Sequence, residues 1–260
     1  MNSPVISVRV SDGSVIKLEC HDALPSTARL AKEYAKLGYP DRYVVFAEGR
    51  KKLDADDKEF GETERGVFMS CILRPSIFPS QAALINSLST VALATALEEH
   101  TTKNIGIGWV SKVYCDGKLI GDVTVEGKLD NFTSYEYIII TFSAVLTEEN
   151  FPPRINDIIR KVFDSENISI PMIIAKNMLN KFFPLYVNIK NNSEFMDAYR
   201  QKFILRGQKI KYLNDGKKET CRVVDVNPND ASLEVETKDR RILRIFTPNK
   251  VIIPKKIALK

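Results

Sequence analysis

The sequence predicts an α/β protein of the α+β kind: a mixed, mainly antiparallel sheet with helices packed on it, followed by a small C-terminal β module. Three observations carry that expectation. Short runs with period-two apolar alternation recur from Val5 to Val145, separated by stretches whose apolar residues follow a helical period. After Gly207 the pattern changes to five short β-rich runs parted by Gly, Asn-Pro and Asp turns. Residues 206–260 hold 14 Lys+Arg and 7 Asp+Glu, while the whole chain holds 38 and 33, so the basic excess lies entirely in that last module. The expected division is therefore 1–205 and 206–260.

Taken in order, Val5 to Leu18 alternates around Asp12-Gly13 and reads as a hairpin. Pro25-Ser26-Thr27 precedes a helix over Ala28–Gly38, with Leu30, Ala31, Tyr34 and Leu37 on one face and Gly38 as its stop. Tyr43 to Ala47 and Gly66 to Leu73 read as strands, and the polar stretch Glu48 to Glu64 between them reads as a functional loop. Ser80 to His100, rich in Ala and Leu, is a helix suited to close packing on a sheet. Asn104 to Cys115 and Lys118 to Glu126 are β runs joined by Asp116-Gly117, a type I′ hairpin signal. Tyr135 to Val145 continues the strands. Ile155–Phe163, Pro171–Phe183 and Asn192–Phe203 read as helices.

Composition excludes several classes. With 260 residues, 44% of them hydrophobic and 27% charged, the chain has the make-up of a soluble globular protein rather than a disordered one. Aliphatic runs such as Ile138-Ile139-Ile140 fall far short of the roughly 20 residues a membrane span needs. Met1 to Val5 shows no secretory signal. Cys20, Cys71, Cys115 and Cys221 are scattered, and His21 and His100 are the only histidines, so no metal ligand set is expected. Dispersed thiols fit a reducing compartment, and a cytoplasmic protein is the expectation.

Several motifs then fall in a telling order: Ser26-Thr27 opening a helix, Gly49-Arg50-Lys51-Lys52, Gly66 to Ser70, and an Ala-rich helix. Trp109, the hairpin end Lys118-Leu119-Ile120-Gly121, Phe151-Pro152, Tyr199-Arg200 and a β module from Gly207 follow. From near Leu18 to the C-terminus this resembles the biotin–protein ligases, within the larger biotin/lipoate ligase family. The resemblance implies an SH3-like C-terminal barrel and an enzyme that makes biotinyl-AMP from biotin, ATP and Mg2+. It implies as partner the biotin-accepting carrier domain of a carboxylase, and a homodimer as a possible assembly. Carried over residue by residue, Lys118 contacts the anhydride; Gly49, Arg50 and Lys51 screen phosphate. Trp109 packs beside nucleotide or biotin, and Ser26, Thr27 and Gly121 complete the binding set, with no metal ligands among them.

The sequence also departs from the family. The pattern GRGRRGR is met only by Gly49-Arg50-Lys51-Lys52, then gives way to Leu53-Asp54-Ala55-Asp56-Asp57. KWPND reads Gly108-Trp109-Val110-Ser111-Lys112, with Lys112 a candidate stand-in for the lost lysine. GxGxN reads Thr141-Phe142-Ser143-Ala144-Val145, so Phe142 and Val145 are expected in space usually left for ligand. Losing one preorganised donor costs about two to three orders of magnitude in rate. Each site residue also has a plain structural reading: Gly49–Lys52 as a solvated basic loop, Trp109 as a core or interface aromatic, Lys118 as a solvent-facing turn residue, Ser26 as a helix cap. Two alternatives therefore stand beside the ligase: a catalytically weakened paralogue that binds or scaffolds, and a nucleic-acid contact through Lys209, Lys211, Arg240, Arg241 and Arg244. The first strand signal at Val5 leaves no room for an N-terminal helix-turn-helix, so DNA binding as a repressor is not expected.

Overall fold

A computed structural model describes residues 3–53, 60–75, 82–130, 134–151, 169–189, 191, 193–214, 216–254 and 256–257. Its first part contains strands β1 (Val5–Arg9), β2 (Val15–His21), β3 (Tyr43–Leu53), β4 (Phe60–Leu73), β5 (Ile105–Gly108), β6 (Lys112–Cys115), β7 (Lys118–Asp130) and β8 (Ser134–Val145). Helices α1 (Thr27–Lys36), α2 (Ala82–Glu98), α3 (Ile170–Val187) and α4 (Ser193–Gln201) accompany them. The eight strands form one sheet in the order β1-β2-β3-β4-β8-β7-β6-β5. Only β2 and β3 run parallel; every other pair is antiparallel. The crossover between β2 and β3 is α1, as a parallel pair requires.

Helix α1 starts where the sequence places it, with Ser26 Oγ accepting from the Arg29 N–H at 3.2 Å. Its apolar stripe, Ala31 and Ala35 with Leu30 and Tyr34, packs on Tyr43, Val45, Ile72, Tyr137 and Ile139. The opposite sheet face carries the main core. There α2 and α3 cover Phe46, Met69, Ile140 and Phe142, with Phe182 and Phe183 of α3 fully buried. Each such buried side chain contributes roughly 1.5–3 kcal/mol relative to exposure. Alanines 92, 94 and 96 of α2 are likewise buried, which lets the helix lie close to the sheet and to α3.

The last part is a second sheet of β9 (Lys209–Asn214), β10 (Lys217–Val226), β11 (Leu233–Glu236), β12 (Ile242–Ile245) and β13 (Val251–Ile252), in the order β12-β11-β10-β9-β13. Its five strands match the five short runs of the sequence.

Two expectations need correction. The polar stretch from Glu48 to Glu64 is not a loop along its described length: β3 continues to Leu53 and β4 begins at Phe60, with Arg50 opposite Glu64 and Lys51 opposite Thr63. Polarity misleads there because a hairpin arm that is only partly buried can be as charged as a loop. The run Asn104 to Cys115 is two strands, and Trp109 lies in the turn between them rather than on a strand. Of the two residues of the divergent GxGxN segment, Val145 has the parity of the α1 side and Phe142 that of the core. Phe142 meets Phe182 edge-on at 5.5 Å on the α2–α3 side, because alternation sends Thr141 and Ser143 the other way. The Asp116-Gly117 hairpin is as expected, with both residues at positive φ (45° and 75°) between the paired Cys115 and Lys118. The Ile155–Phe163 helix lies outside the described residues.

Candidate ligand site on the sheet face beside helix α1

The face that α1 covers only in part gathers most of the functional candidates. Leu24, just before α1, lies beside Arg50: its N–H donates to Gly49 O at 3.0 Å, and its carbonyl accepts from Lys51 N–H at 3.1 Å. These backbone bonds bring Ser26, Thr27, Gly49, Arg50 and Lys51 together. Thr27 is buried, and its hydroxyl lies 2.8 Å from Ser70 Oγ, which in turn lies 2.9 Å from Thr141 Oγ1. A relay of three hydroxyls thus runs from the first residue of α1 across β4 to β8. Helix α1 has no acidic residue in its first turn, so its partial positive end is left uncompensated toward this relay.

Beyond the helix terminus the same face continues through Phe68, Ser143 and Asp122, as register and alternation dictate. Three cations stand over it, and each has a carboxylate partner. Arg50 donates to Glu64 through Nε (3.1 Å) and Nη2 (2.5 Å) and lies 5.0 Å from the centre of the Phe68 ring. Lys112 Nζ donates to Asp122 Oδ2 at 2.9 Å, and Lys32 of α1 pairs with Glu126. Sequence reasoning passed over Asp122 and Glu64, and it quoted Ser70 and Thr141 within motifs without giving either a site role. The signal that finds them is cross-strand register, since Lys112 sits opposite Asp122 and Ser70 opposite Thr141.

The remaining candidates are elsewhere. Lys118 begins β7 and is well exposed, with its Nζ 4.0 Å from a Glu149 oxygen. Gly121 is opposite Ala144, and a Cβ there would lie 2.4 Å from Ser143 O, so the position demands glycine for backbone approach. Trp109 is buried and turns away from the α1 face: its Nε1 donates at 2.7 Å to Ala231 O, in the connection between β10 and β11.

Near α1 a second polar centre supports the site. Glu19, 6% exposed, accepts from Tyr34 (3.1 Å) and Tyr43 (2.7 Å) and lies 2.9 Å from His21 Nε2. Burial and the Glu19 carboxylate push the Tyr34 hydroxyl up to about 12 and raise Tyr43 further. Burial raises all four thiols as well, so none is an activated nucleophile. Among the described residues no group of three His, Cys, Asp or Glu side chains is placed to hold a metal ion.

Comparison with known proteins places this architecture. No family model matches the sequence. The chain is similar to the bifunctional ligase/repressor BirA of Bacillus subtilis, 27% identical over 143 residues, which is 53% of this chain and 43% of that protein. It thus matches less than half the length of that relative. Among solved structures it is similar to a mutant of the biotin protein ligase of Aquifex aeolicus in complex with biotin (TM-score 0.66, 17% identity, 90% of this chain and 97% of that one). It is also similar to the Leishmania major biotin protein ligase with biotinyl-5-AMP (0.52, 14%, 88% and 98%). A biotin protein ligase-like protein of unknown function from Silicibacter sp. TM1040 matches too (0.59, 13%, 88% and 94%). The chain has the fold of the biotin protein ligases.

Proposed function

We propose that this chain is a divergent biotin–protein ligase that binds biotin and ATP on the α1 face. The observation that carries the reading is the Thr27–Ser70–Thr141 relay beneath an acid-free helix N-terminus, in a fold shared with ligases solved with biotin and with ATP. In the first half-reaction a biotin carboxylate oxygen forms a bond to the α-phosphorus of ATP. The bond from that phosphorus to the bridging oxygen breaks, and pyrophosphate leaves. In the second, a carrier lysine amine attacks the acyl carbon, and AMP leaves. Arg50 and Lys112 stand over the face that continues from the relay, and each exchanges its carboxylate for the incoming anion. Lys118 acts from the rim. Magnesium enters with the nucleotide, bridging its phosphates. Residues 1–205 form the catalytic part and 206–260 an SH3-like module whose basic excess attracts an acidic carrier domain. Homodimer formation and a cytoplasmic location complete the proposal. Among the described residues no helix is long and apolar enough to cross a membrane.

The test is biotin-dependent ATP–pyrophosphate exchange with magnesium, run alongside lipoate and octanoate. Exchange with biotin, reduced about a hundredfold in Lys112→Ala, is the expected result. No exchange with any acid, from protein shown to be folded, overturns the enzyme.

A second reading, a binding or scaffold protein, is favoured by the pairing of Arg50, Lys112 and Lys32 with carboxylates. It predicts calorimetric binding of biotin without turnover. The nucleic-acid reading loses ground, because Arg241 and Arg244 are paired with Asp239 and Asp230.

A further inference from the structure

Strand β1 is one edge of the eight-stranded sheet, and among the described residues no strand pairs with its outer side. Val10 N–H donates to Ser14 O and Cys20 N–H to Pro4 O, and the intervening register has no bulge. Antiparallel alternation therefore turns the backbone groups of Pro4, Ile6, Val8 and Val10 toward β2, and those of Val5, Ser7 and Arg9 outward. Facing that edge is one stripe of α3: Ile173, Lys176, Asn177 and Asn180, at helical i, i+3, i+4 and i+7 spacing. Between edge and stripe lies a groove of about 580 Å³, with His100 in its wall. One end is closed by Ser11, whose N–H donates to Asn180 Oδ1 (3.0 Å) and whose hydroxyl donates to Asn180 O (3.1 Å).

We propose that this groove takes an extended acidic peptide segment of a partner protein, which adds to β1 as a ninth strand. An unpaired edge alongside a helix meets the two needs of strand addition: main-chain groups for affinity and a neighbouring wall to read alternate side chains. The charge selects the partner. Glu99, the one acid among the described groove residues, is taken up by Lys181 and Asn177, while Lys176 on the α3 wall forms no ion pair among the described residues; nor does Arg9, whose side chain alternates to the sheet face opposite the buried Val8. A second copy of the chain is the poorer occupant, since two-fold pairing through β1 brings two further cations to the seam and no unpaired acid from the described groove residues. The groove lies on the α3 side of the sheet edge, apart from the α1 face, and the proposal does not depend on the ligase reading.

The experiment uses a fluorescent acetyl-Thr-Val-Glu-Val-Thr-amide and its lysine-centred counterpart, read by anisotropy up to millimolar concentration. Saturable binding of the glutamate peptide is expected, about tenfold tighter than that of the lysine peptide. Ser7→Pro removes an outward N–H and the hydroxyl that accepts from Lys17 Nζ (3.0 Å), but no backbone bond of the β1–β2 ladder, as proline is tolerated on edge strands. It should weaken the peptide about tenfold. Lys176→Glu should invert the charge preference, and bound peptide should slow amide hydrogen exchange at Ser7 and Arg9. No saturable binding overturns the proposal, as does equal binding by Ser7→Pro. So does concentration-dependent dimerisation abolished by Ser7→Pro, which would assign the edge to a second copy.

Discussion

Thr27 shows how much one side chain joins. Its hydroxyl is buried between α1 and β4, so Thr27→Val leaves Ser70 short of a partner on a water-poor side. A cost of about 1–2 kcal/mol is expected, measured by urea denaturation, together with weaker biotin binding by calorimetry. Glu19 organises the tyrosines in the same way. Because burial and Glu19 raise the Tyr34 hydroxyl from 10 to about 12, the folded state keeps a proton that the unfolded chain loses in that window. That contribution is intact below pH 10 and is lost as pH rises toward 12. The urea midpoint should therefore fall less steeply with alkaline pH in Tyr34→Phe than in the parent protein. The caps and turns were legible in the sequence at this scale: Ser26 and Asp116-Gly117 act through neighbours in the chain. The hydroxyl relay was not, because Thr27, Ser70 and Thr141 are far apart in sequence and meet only through strand order.

At the scale of elements, β8 is pinched between glycines on both neighbouring strands. A Cβ at Gly66 would lie 2.1 Å from Ala144 O, and one at Gly121 would lie 2.4 Å from Ser143 O. Gly121→Ala must therefore push β7 off β8, and a loss of about 1–3 kcal/mol is expected from thermal or urea unfolding. A small loss would show that the sheet relaxes without strain. The motif that flagged Gly121 is thus a packing requirement of the sheet, whatever ligand lies above it. The Glu48–Glu64 hairpin makes the converse point. Its charged arms are strands because they pair with each other, Arg50 opposite Glu64, and composition alone carries no record of that partner.

Across the whole molecule, the two sheets are tied by Trp109 and by a charged cluster. Burial pushes the Asp225 carboxyl up, but hydrogen bonds from Arg200 (2.6 Å) and Arg206 (2.7 Å) outweigh it and hold the group below the usual aspartate range. A depressed carboxyl stabilises the fold above its unfolded pKa, and that support is lost as pH falls through the folded value. Asp225→Asn should remove this acid-sensitive part. Trp109 is the only tryptophan, so its emission reports the junction directly. On acidification its red shift should precede the loss of far-ultraviolet dichroism in the parent, and Asp225→Asn should show that shift already at neutral pH. Coincident changes in both proteins would mean the junction does not open separately.

The sequence by itself determined the elements whose causes are local: the alternating strands, the capped and amphipathic helices, the type I′ hairpin and the five short strands of a basic C-terminal module. It also determined the resemblance that the ligase fold bears out. Only the tertiary structure decided which face each strand residue serves. Register put Thr141 and Ser143 beside α1 and sent Phe142 into the core, paired Lys112 with Asp122, and turned Trp109 toward Ala231. Alternation along a strand is local, but which of its two faces meets a helix, and which residues of other strands share that face, is chosen by the packing of the whole chain.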